Sequence, residues 1–280
     1  MNSAENIRNC SSETRPNGND KKGVLLTPRR GRVLPSFWYV NPAFINTPAA
    51  QAFESLETTC SAEGETVTSS SISKVTKVIV ENRSFYVKTY SAGGKKLRRW
   101  IGRSRIRAEW ENLLLFESLG IPIPPLVACG HAIRYGIFQK GAMVTAELQG
   151  TADLAQLYAI NHRLLSDRHW VADVSHQIAD YTRRLHQHRF GHLDLKWRNI
   201  LVTLDAAPRV FLIDCPSGQI RRGPLANRWF TKDLACLDII ARKCLSRTQR
   251  LRFYMDYRRC HKLLSKDKRR IRNILDFYIR

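Results

Sequence analysis

Four polar residues are set into an otherwise apolar run: His192, Asp194, Lys196 and Asn199 in "FGHLDLKWRNILV", residues 190–202. A carboxylate, an ammonium and an amide within six residues suit the transfer of a phosphoryl group to a hydroxyl. Asp194 would orient or deprotonate the acceptor hydroxyl at the line of attack. Asn199 would offer oxygen to a divalent cation on the phosphate side, and Lys196 would neutralise charge on the group in transit. The flanking aliphatics would hold the loop rigid while it turns between Asp194 and Asn199.

The full pattern, His192-x-Asp194-Leu195-Lys196-x-x-Asn199-Ile200-Leu201, matches the catalytic loop of protein kinases. Other positions follow in the order such a fold requires. "LID" places Asp214 at the end of a short apolar stretch, 15 residues beyond Asn199, where a second metal ligand belongs. Lys88 lies in "YVKTY", a β-rich run, as a phosphate-gripping lysine would. On the following helix Glu109 and Glu111 compete to pair with it. At roughly 100° per residue, Glu109 lies about 40° from Leu113 on the apolar face, and Glu111 about 160° away. A Glu on the apolar face needs a buried partner, so Glu109 is the expected mate of Lys88 and Glu111 is expected in solvent. Several kinase signals are missing. No GxGxxG precedes Lys88, which leaves the serines at 69–71 and 73 as the phosphate-covering candidates. Leu193 stands where an Arg is usual, "DCPSG" replaces DFG, and no APE follows.

The elements that must position these groups can be read from periodicity and punctuation. Residues 72–81 and 84–90 alternate as strands around a turn at "ENR". "SRIRAEWENLLLFESLG" is a helix capped by Ser104 and stopped by Gly120. Residues 121–130 are Pro-rich and extended, 135–150 read as two strands and a turn, and 151–159 open a helix. Residues 169–191 form a long amphipathic helix ended by Gly191, 209–218 contain a strand, and the chain is helical from about 228. Before all this, 1–25 are polar, "LPSFWYVNPAF" is aromatic enough to dock, Thr47-Pro48 starts a short helix, and 61–71 look like a loop. The expected fold is α+β: a bilobal, protein-kinase-like domain with a small β-rich N-lobe (66–149), a helical C-lobe (150–280) and an ATP cleft between them. Residues 1–65 form a flexible or loosely docked extension.

Composition bounds the partners. The 280 residues carry 46 Lys and Arg against 24 Asp and Glu, a formal net charge of +22, which favours an anionic partner. Residues 219–280 alone hold 18 Lys and Arg against five Asp, and "KKLRRWIGRSRIR" (95–107) adds seven more basic residues. Seven scattered cysteines form no CxxC pair and read as reduced thiols rather than disulfides or a zinc site. The N-terminus lacks a secretory signal and no run of about 18 apolar residues occurs, so a cytoplasmic protein, peripheral at most to a membrane, is expected.

The segments "RAEWENLLLFESLGIPIPPLVACG", "LHQHRFGHLDLKWRNILV", "LIDCPSG", "KDLACL" and "RTQRLRFYMDY" resemble the bacterial lipopolysaccharide kinase family, the Kdo/heptose kinases, over roughly 70 to 260. The resemblance implies ATP-dependent phosphorylation of a sugar hydroxyl of the lipopolysaccharide inner core at the inner face of the bacterial inner membrane. It implies ATP and Mg²⁺, with Asp194 and Lys196 at the chemistry, Lys88 and Glu109 on the nucleotide, and Asn199 and Asp214 on both nucleotide and metal. The partners it implies are an anionic glycolipid acceptor and an anionic membrane surface met by the basic C-terminal region, with no specific nucleic acid. Trp100 and Trp197 are candidates for stacking on sugar, although such residues more often serve the core. The competing readings are a Ser/Thr-protein or small-molecule kinase of the same fold, a catalytically silent nucleotide-binding scaffold, and a nucleic-acid binder suggested by charge alone.

Overall fold

Alternation along one strand decides which way the first half of the chain faces. In β4 (Arg83–Tyr90), Phe85 and Val87 are buried on one side, while Lys88 and Tyr90 belong to opposite-phase positions. Phe85 and Val87 share a core with Val78, Ala128, Val144 and Phe53, whereas Tyr90 joins the core built on helix α3 (Arg105–Ser118). A slip of one residue would turn Lys88 away from α3. The register is set by a tight hairpin from β3 (Ser73–Val80), whose last pair is Val80 with Arg83 and whose turn puts Glu81 at φ 53°.

These elements come from a computed structural model, which describes residues 36–94, 103–223 and 225–279. The polar stretch 1–25, Trp100 and most of the basic run 95–107 lie outside the described residues. With β1 (Phe37–Val40), β2 (Glu65–Ser69), β5 (Leu126–Arg134) and β6 (Ile137–Ala146), the two strands form one antiparallel sheet in the order β1-β5-β6-β4-β3-β2.

Three features differ from the sequence expectation. Residues 36–60, expected within a loosely docked extension, are part of the sheet's architecture. β1 pairs with β5, and α1 (Pro48–Ala52) and α2 (Leu56–Cys60) cover the outer face. Phe53 is fully buried edge-on against Phe85, and its carbonyl accepts the Trp38 indole N–H at 2.9 Å. Next, the segment expected as a loop at 61–71 contains β2, which is exposed along its length. A strand held only by backbone pairing, with no face in a core, leaves no apolar alternation to read. Finally, the β5–β6 turn falls at Tyr135–Gly136, both at positive φ (52° and 75°), as a two-residue hairpin turn requires. The run Leu126–Gly130 is buried on both faces, so it does not alternate and reads as a linker rather than a central strand.

The chain leaves the sheet at Ala146 and enters a second, three-stranded sheet at β7 (Thr151–Asp153), followed by α4 (Leu154–Ala159) and the long α5 (Arg168–Gln187). α5 stops four residues before Gly191. Arg189 takes the left-handed conformation (φ 59°), and β8 (Phe190–Gly191) already pairs with β11 (Gln219–Ile220). Gly191 serves packing instead: a Cβ there would lie 3.1 Å from the Trp229 side chain. β9 (Ile200–Thr203) sits between β7 and β10 (Val210–Leu212), and α6 (Leu225–Cys244), α7 (Arg247–Arg258) and α8 (Ser265–Leu275) complete the helical half. One continuous core runs from α3 (Trp110, Phe116) through α5 (Leu185) to Leu195, Ile200 and Leu212, so the sheet half and the helical half are packed on shared side chains.

If residues 36–60 are structural, Phe53→Ala should cost about 3–5 kcal/mol in a denaturant melt. Ile45→Ala, at an exposed position in the same segment, should stay within about 0.5 kcal/mol. Equal, small effects would show the segment to be only loosely attached.

Candidate active site

Two short ladders frame the polar loop. Ile200 of β9 pairs with Leu212 of β10, and Ile213 N donates to Asn199 O at 3.0 Å, so Asn199 and Asp214 emerge side by side from neighbouring strands. On the other side β8 and β11 bring residues 190–191 against 219–220. Between the ladders the loop is tied to itself. Lys196 N donates to Asp194 O at 2.8 Å, and Asn199 N to Lys196 O at 2.9 Å. Asn199 Nδ2 donates to Asp194 O at 2.8 Å. With that amide committed, Asn199 Oδ1 is the atom left for a cation.

From below, the loop hangs on a residue to which the sequence reading assigned no role. Asp233 of α6 is fully buried and accepts the backbone N–H of His192 at 2.8 Å and of Leu193 at 2.7 Å. His186 Nε2 lies 3.3 Å from the same carboxylate. This grip holds Leu193 at φ 66°, a conformation that costs an L-residue about 1–2 kcal/mol. The only sequence signal was an Asp within an apolar helical stretch, "KDLACL", where a charge must be paired.

Asp194 itself is partly open to solvent. Lys196 Nζ is 2.6 Å from its Oδ1, and Arg198 Nη2 is 3.2 Å from its Oδ2. Burial raises the Asp194 pKa, but the ammonium and guanidinium outweigh it and hold the carboxyl below its ordinary range. The group is therefore an anion at neutral pH. His192, by contrast, is wholly buried and stacks on Phe116 at 5.8 Å. Its ring nitrogens lack hydrogen-bond partners among the described residues, and burial lowers its pKa, so it packs as a neutral ring.

Across the cleft, Lys88 Nζ sits 2.8 Å from Glu109 Oε1 and 2.5 Å from Asp214 Oδ1. Glu109 is 2 % exposed and also accepts from Tyr90 Oη at 2.8 Å. Burial alone would lower the Lys88 pKa, but the carboxylates of Glu109 and Asp214 more than reverse this and keep the ammonium charged. For Glu109 burial dominates and pushes the carboxyl up, with Lys88 opposing it. Asp214 is more open, and Lys88 pulls it below its ordinary range against the effect of burial. Its second carboxylate oxygen and the Asn199 amide oxygen are hard-oxygen donors, which could hold a cation such as Mg²⁺. Among the described residues no three or more His, Cys, Asp or Glu converge on one point.

A second unforeseen residue couples the two sides. Asn112, one turn beyond Glu109 on α3, is buried and donates to Cys215 O at 2.6 Å and to Gly218 O at 2.9 Å. The helix that carries Glu109 is thereby pinned to the segment that carries Asp214. Glu111 is not simply solvated as expected: Arg107 Nε at 2.7 Å and Arg103 Nη1 at 2.9 Å pair with it. Trp197 is core, with its indole N–H donating to Leu237 O at 2.9 Å. In the β2–β3 turn, Ser70 Oγ already accepts the N–H of Ser73 at 3.2 Å and Ile72 at 3.4 Å, so those amides would reach a phosphate only by displacing that hydroxyl.

Comparison with known proteins narrows the reading. The family model described as "Lipopolysaccharide kinase (Kdo/WaaP) family" matches residues 51–257. A search of curated proteins finds no match. Among solved structures, "WaaP in complex with acyl carrier protein" is similar with a TM-score of 0.66 and 22 % identity, covering 86 % of this chain and 95 % of that one. At that identity the structural likeness speaks for the fold, α+β and protein-kinase-like, and the family model carries the rest.

Removing the cation of the buried pair leaves Glu109 without its counter-charge. Lys88→Met should therefore destabilise the ligand-free protein by roughly 3–5 kcal/mol. Lys88→Met combined with Glu109→Gln should recover most of that in a denaturant melt. Strictly additive losses in the double variant would argue against the pairing.

Proposed function

The chain belongs to the lipopolysaccharide kinase (Kdo/WaaP) family, and on that premise we propose how its residues carry out ATP-dependent phosphorylation of a sugar hydroxyl in the lipopolysaccharide core. The observation that carries the assignment is the convergence on one cleft of Lys88, Glu109, Asp194, Asn199 and Asp214, with Lys88 and Asp214 in contact across 126 positions of sequence. Lys88, held by Glu109, grips the α- and β-phosphates of ATP. Asn199 Oδ1 and Asp214 would hold Mg²⁺, which when bound would supply positive charge against the phosphates.

Asp194 accepts a hydrogen bond from the acceptor hydroxyl and takes its proton as the new P–O bond forms. The bond between the γ-phosphorus and the bridging oxygen breaks, and ADP leaves with that oxygen. Lys196, already at Asp194, shifts its charge onto the transferring group. The acceptor is a Kdo or heptose residue, and the acidic groups of the surrounding core are drawn by the basic C-terminal half of the chain. No helix among the described residues is long and apolar enough to cross a membrane. The glycolipid is met by peripheral attachment of that basic surface to the cytoplasmic face of an anionic bilayer.

A second partner follows from one further observation. The helical half holds a mainly apolar pocket of about 560 Å³ that is partly open to solvent. Trp170, Leu237, Ala241, Tyr254 and Ile274 are among its lining residues, with Arg247 and Arg250 beside them. Its size and lining suit a fatty acyl chain, and the solved WaaP is in complex with acyl carrier protein. We infer that this chain also binds an acylated carrier protein, the acyl chain in the cavity and Arg247 toward the anionic carrier, since Arg250 is already paired with Asp238. Purified acylated carrier should bind the wild type and lose at least tenfold in affinity to Ala241→Trp. Equal binding of carrier without its acyl chain would remove the cavity's role.

The test of the main reading is transfer of labelled γ-phosphate from ATP to purified inner-core lipopolysaccharide. Asp194→Asn should lower turnover by about 10²–10⁴-fold while ATP still binds, and Asp214→Ala should weaken Mg-ATP binding itself. Because the Asp194 pKa is depressed, its active anionic form is complete above the ordinary carboxylate range and is lost only as pH falls through the depressed value. No acid limb from Asp194 is expected above about pH 5. Unchanged turnover in Asp194→Asn would remove it from the chemistry.

A further inference from the structure

The family match stops at residue 257, but the chain continues and returns to the catalytic loop. After α7 it turns into α8, which is anchored by the buried Ile274 and by Asp267, an acceptor from Arg258 Nε at 2.9 Å. The last described turn then lays Phe277 against the helical core and places Tyr278 Oη 2.9 Å from Cys236 Sγ. Cys236 lies one turn beyond Asp233, which holds His192 and Leu193, and beside Leu237, which holds Trp197. Tyr278 is thus docked on the same stretch of α6 from which the catalytic loop is suspended.

The surroundings are those of a ligand surface rather than a core. Tyr278 is 46 % exposed although its hydroxyl is engaged, which leaves its ring open to solvent. Lys196 and Arg198 of the loop are also open, and Lys232 precedes Asp233 on α6. The groups share one field. Charges on Asp194 and Asp233 act on the Tyr278 phenol, and those on Lys232 and Lys196 act on the Cys236 thiol. Burial, then the Cys236 contact and the nearby acids, hold the phenol above its ordinary pKa. It is therefore neutral and does not repel an anion.

We propose that Tyr278 and Lys232 form the acceptor subsite beside the catalytic loop, the aromatic ring lying along a sugar ring and the Lys232 ammonium facing the carboxylate or phosphate of an anionic sugar, while Lys196 stays with the transferring group. The inference rests on the family's reaction and adds to it the side of the catalytic Asp on which the acceptor binds. Amphipathic aromatic rings suit a ligand with one apolar face and a polar edge. Lysines as mobile point charges suit acidic groups whose position varies. Because Tyr278 lies beyond the family match, its ring would set the acceptor preference of this chain rather than a property of the shared catalytic core.

Steady-state kinetics with purified inner-core lipopolysaccharide test this. Tyr278→Ala should raise the acceptor KM about tenfold or more with the KM for ATP changed less than about twofold, the split expected of lost acceptor contacts. Tyr278→Phe, which keeps the ring and loses only the Cys236 contact, should recover most of the loss. Lys232→Ala should raise the acceptor KM by an amount that shrinks as salt is added. No transfer by the wild type would overturn the family's reaction here and the subsite with it. Transfer by the wild type with an unchanged acceptor KM in Tyr278→Ala and Lys232→Ala would overturn the subsite alone, as would a rise in both KM values together with a lowered Tm.

Discussion

A single ammonium, that of Lys88, holds the site together before any nucleotide arrives. It is shared by a fully buried Glu109 on α3 and by Asp214 at the end of the β10 segment. Three elements far apart in sequence must therefore meet at one point, or leave a charge buried and unpaired at a cost of several kcal/mol. The alternation of β4, the phase of α3 and the pairing of β9 with β10 can all be understood as ways to deliver these three groups. Tyr90, donating to the second Glu109 oxygen, satisfies what the lysine does not reach.

Around that pair the loops are held by polar anchors rather than by apolar packing alone. Asp233 takes two backbone N–H groups of the catalytic loop, and Asn112 takes two carbonyls of the segment after Asp214. Both anchors are buried, where hydrogen bonds are electrostatically strong and their loss is costly. Their joint effect is that α3, the loop at 190–202 and the "DCPSG" segment are tied together by buried hydrogen bonds. That suits an enzyme lacking the Arg through which a phosphorylated activation loop would act on the catalytic loop.

The two ends of the chain complete the core from outside it. Residues 36–60 close the outer face of the sheet, so Phe85 and Val87 of the strand carrying Lys88 are buried on that side. At the other end α8 and the turn after it return to α6 beside the catalytic loop. The high positive charge of this second half, 18 Lys and Arg against five Asp from residue 219 onward, would on the proposed reading draw an anionic acceptor. The contacts that would orient that acceptor are few and local.

What the sequence by itself determined is what local pattern encodes. The catalytic-loop residues lie within one short motif. The order Lys88, Glu109, Asp194, Asn199, Asp214 is linear along the chain, and the choice of Glu109 over Glu111 follows from helical phase alone. Hairpin β3–β4 and the Ser104 cap of α3 are likewise local. Tertiary structure decided the rest because each case depends on a partner remote in sequence. β1 and β2 are strands through pairing, and β2 has no apolar face to announce it. Gly191 is small because Trp229 is close. Trp197 is core because Leu237 offers its carbonyl. Asp233 and Asn112 look like ordinary helix residues until the fold brings unpaired backbone groups to them, since a buried polar side chain takes its role from the group it satisfies.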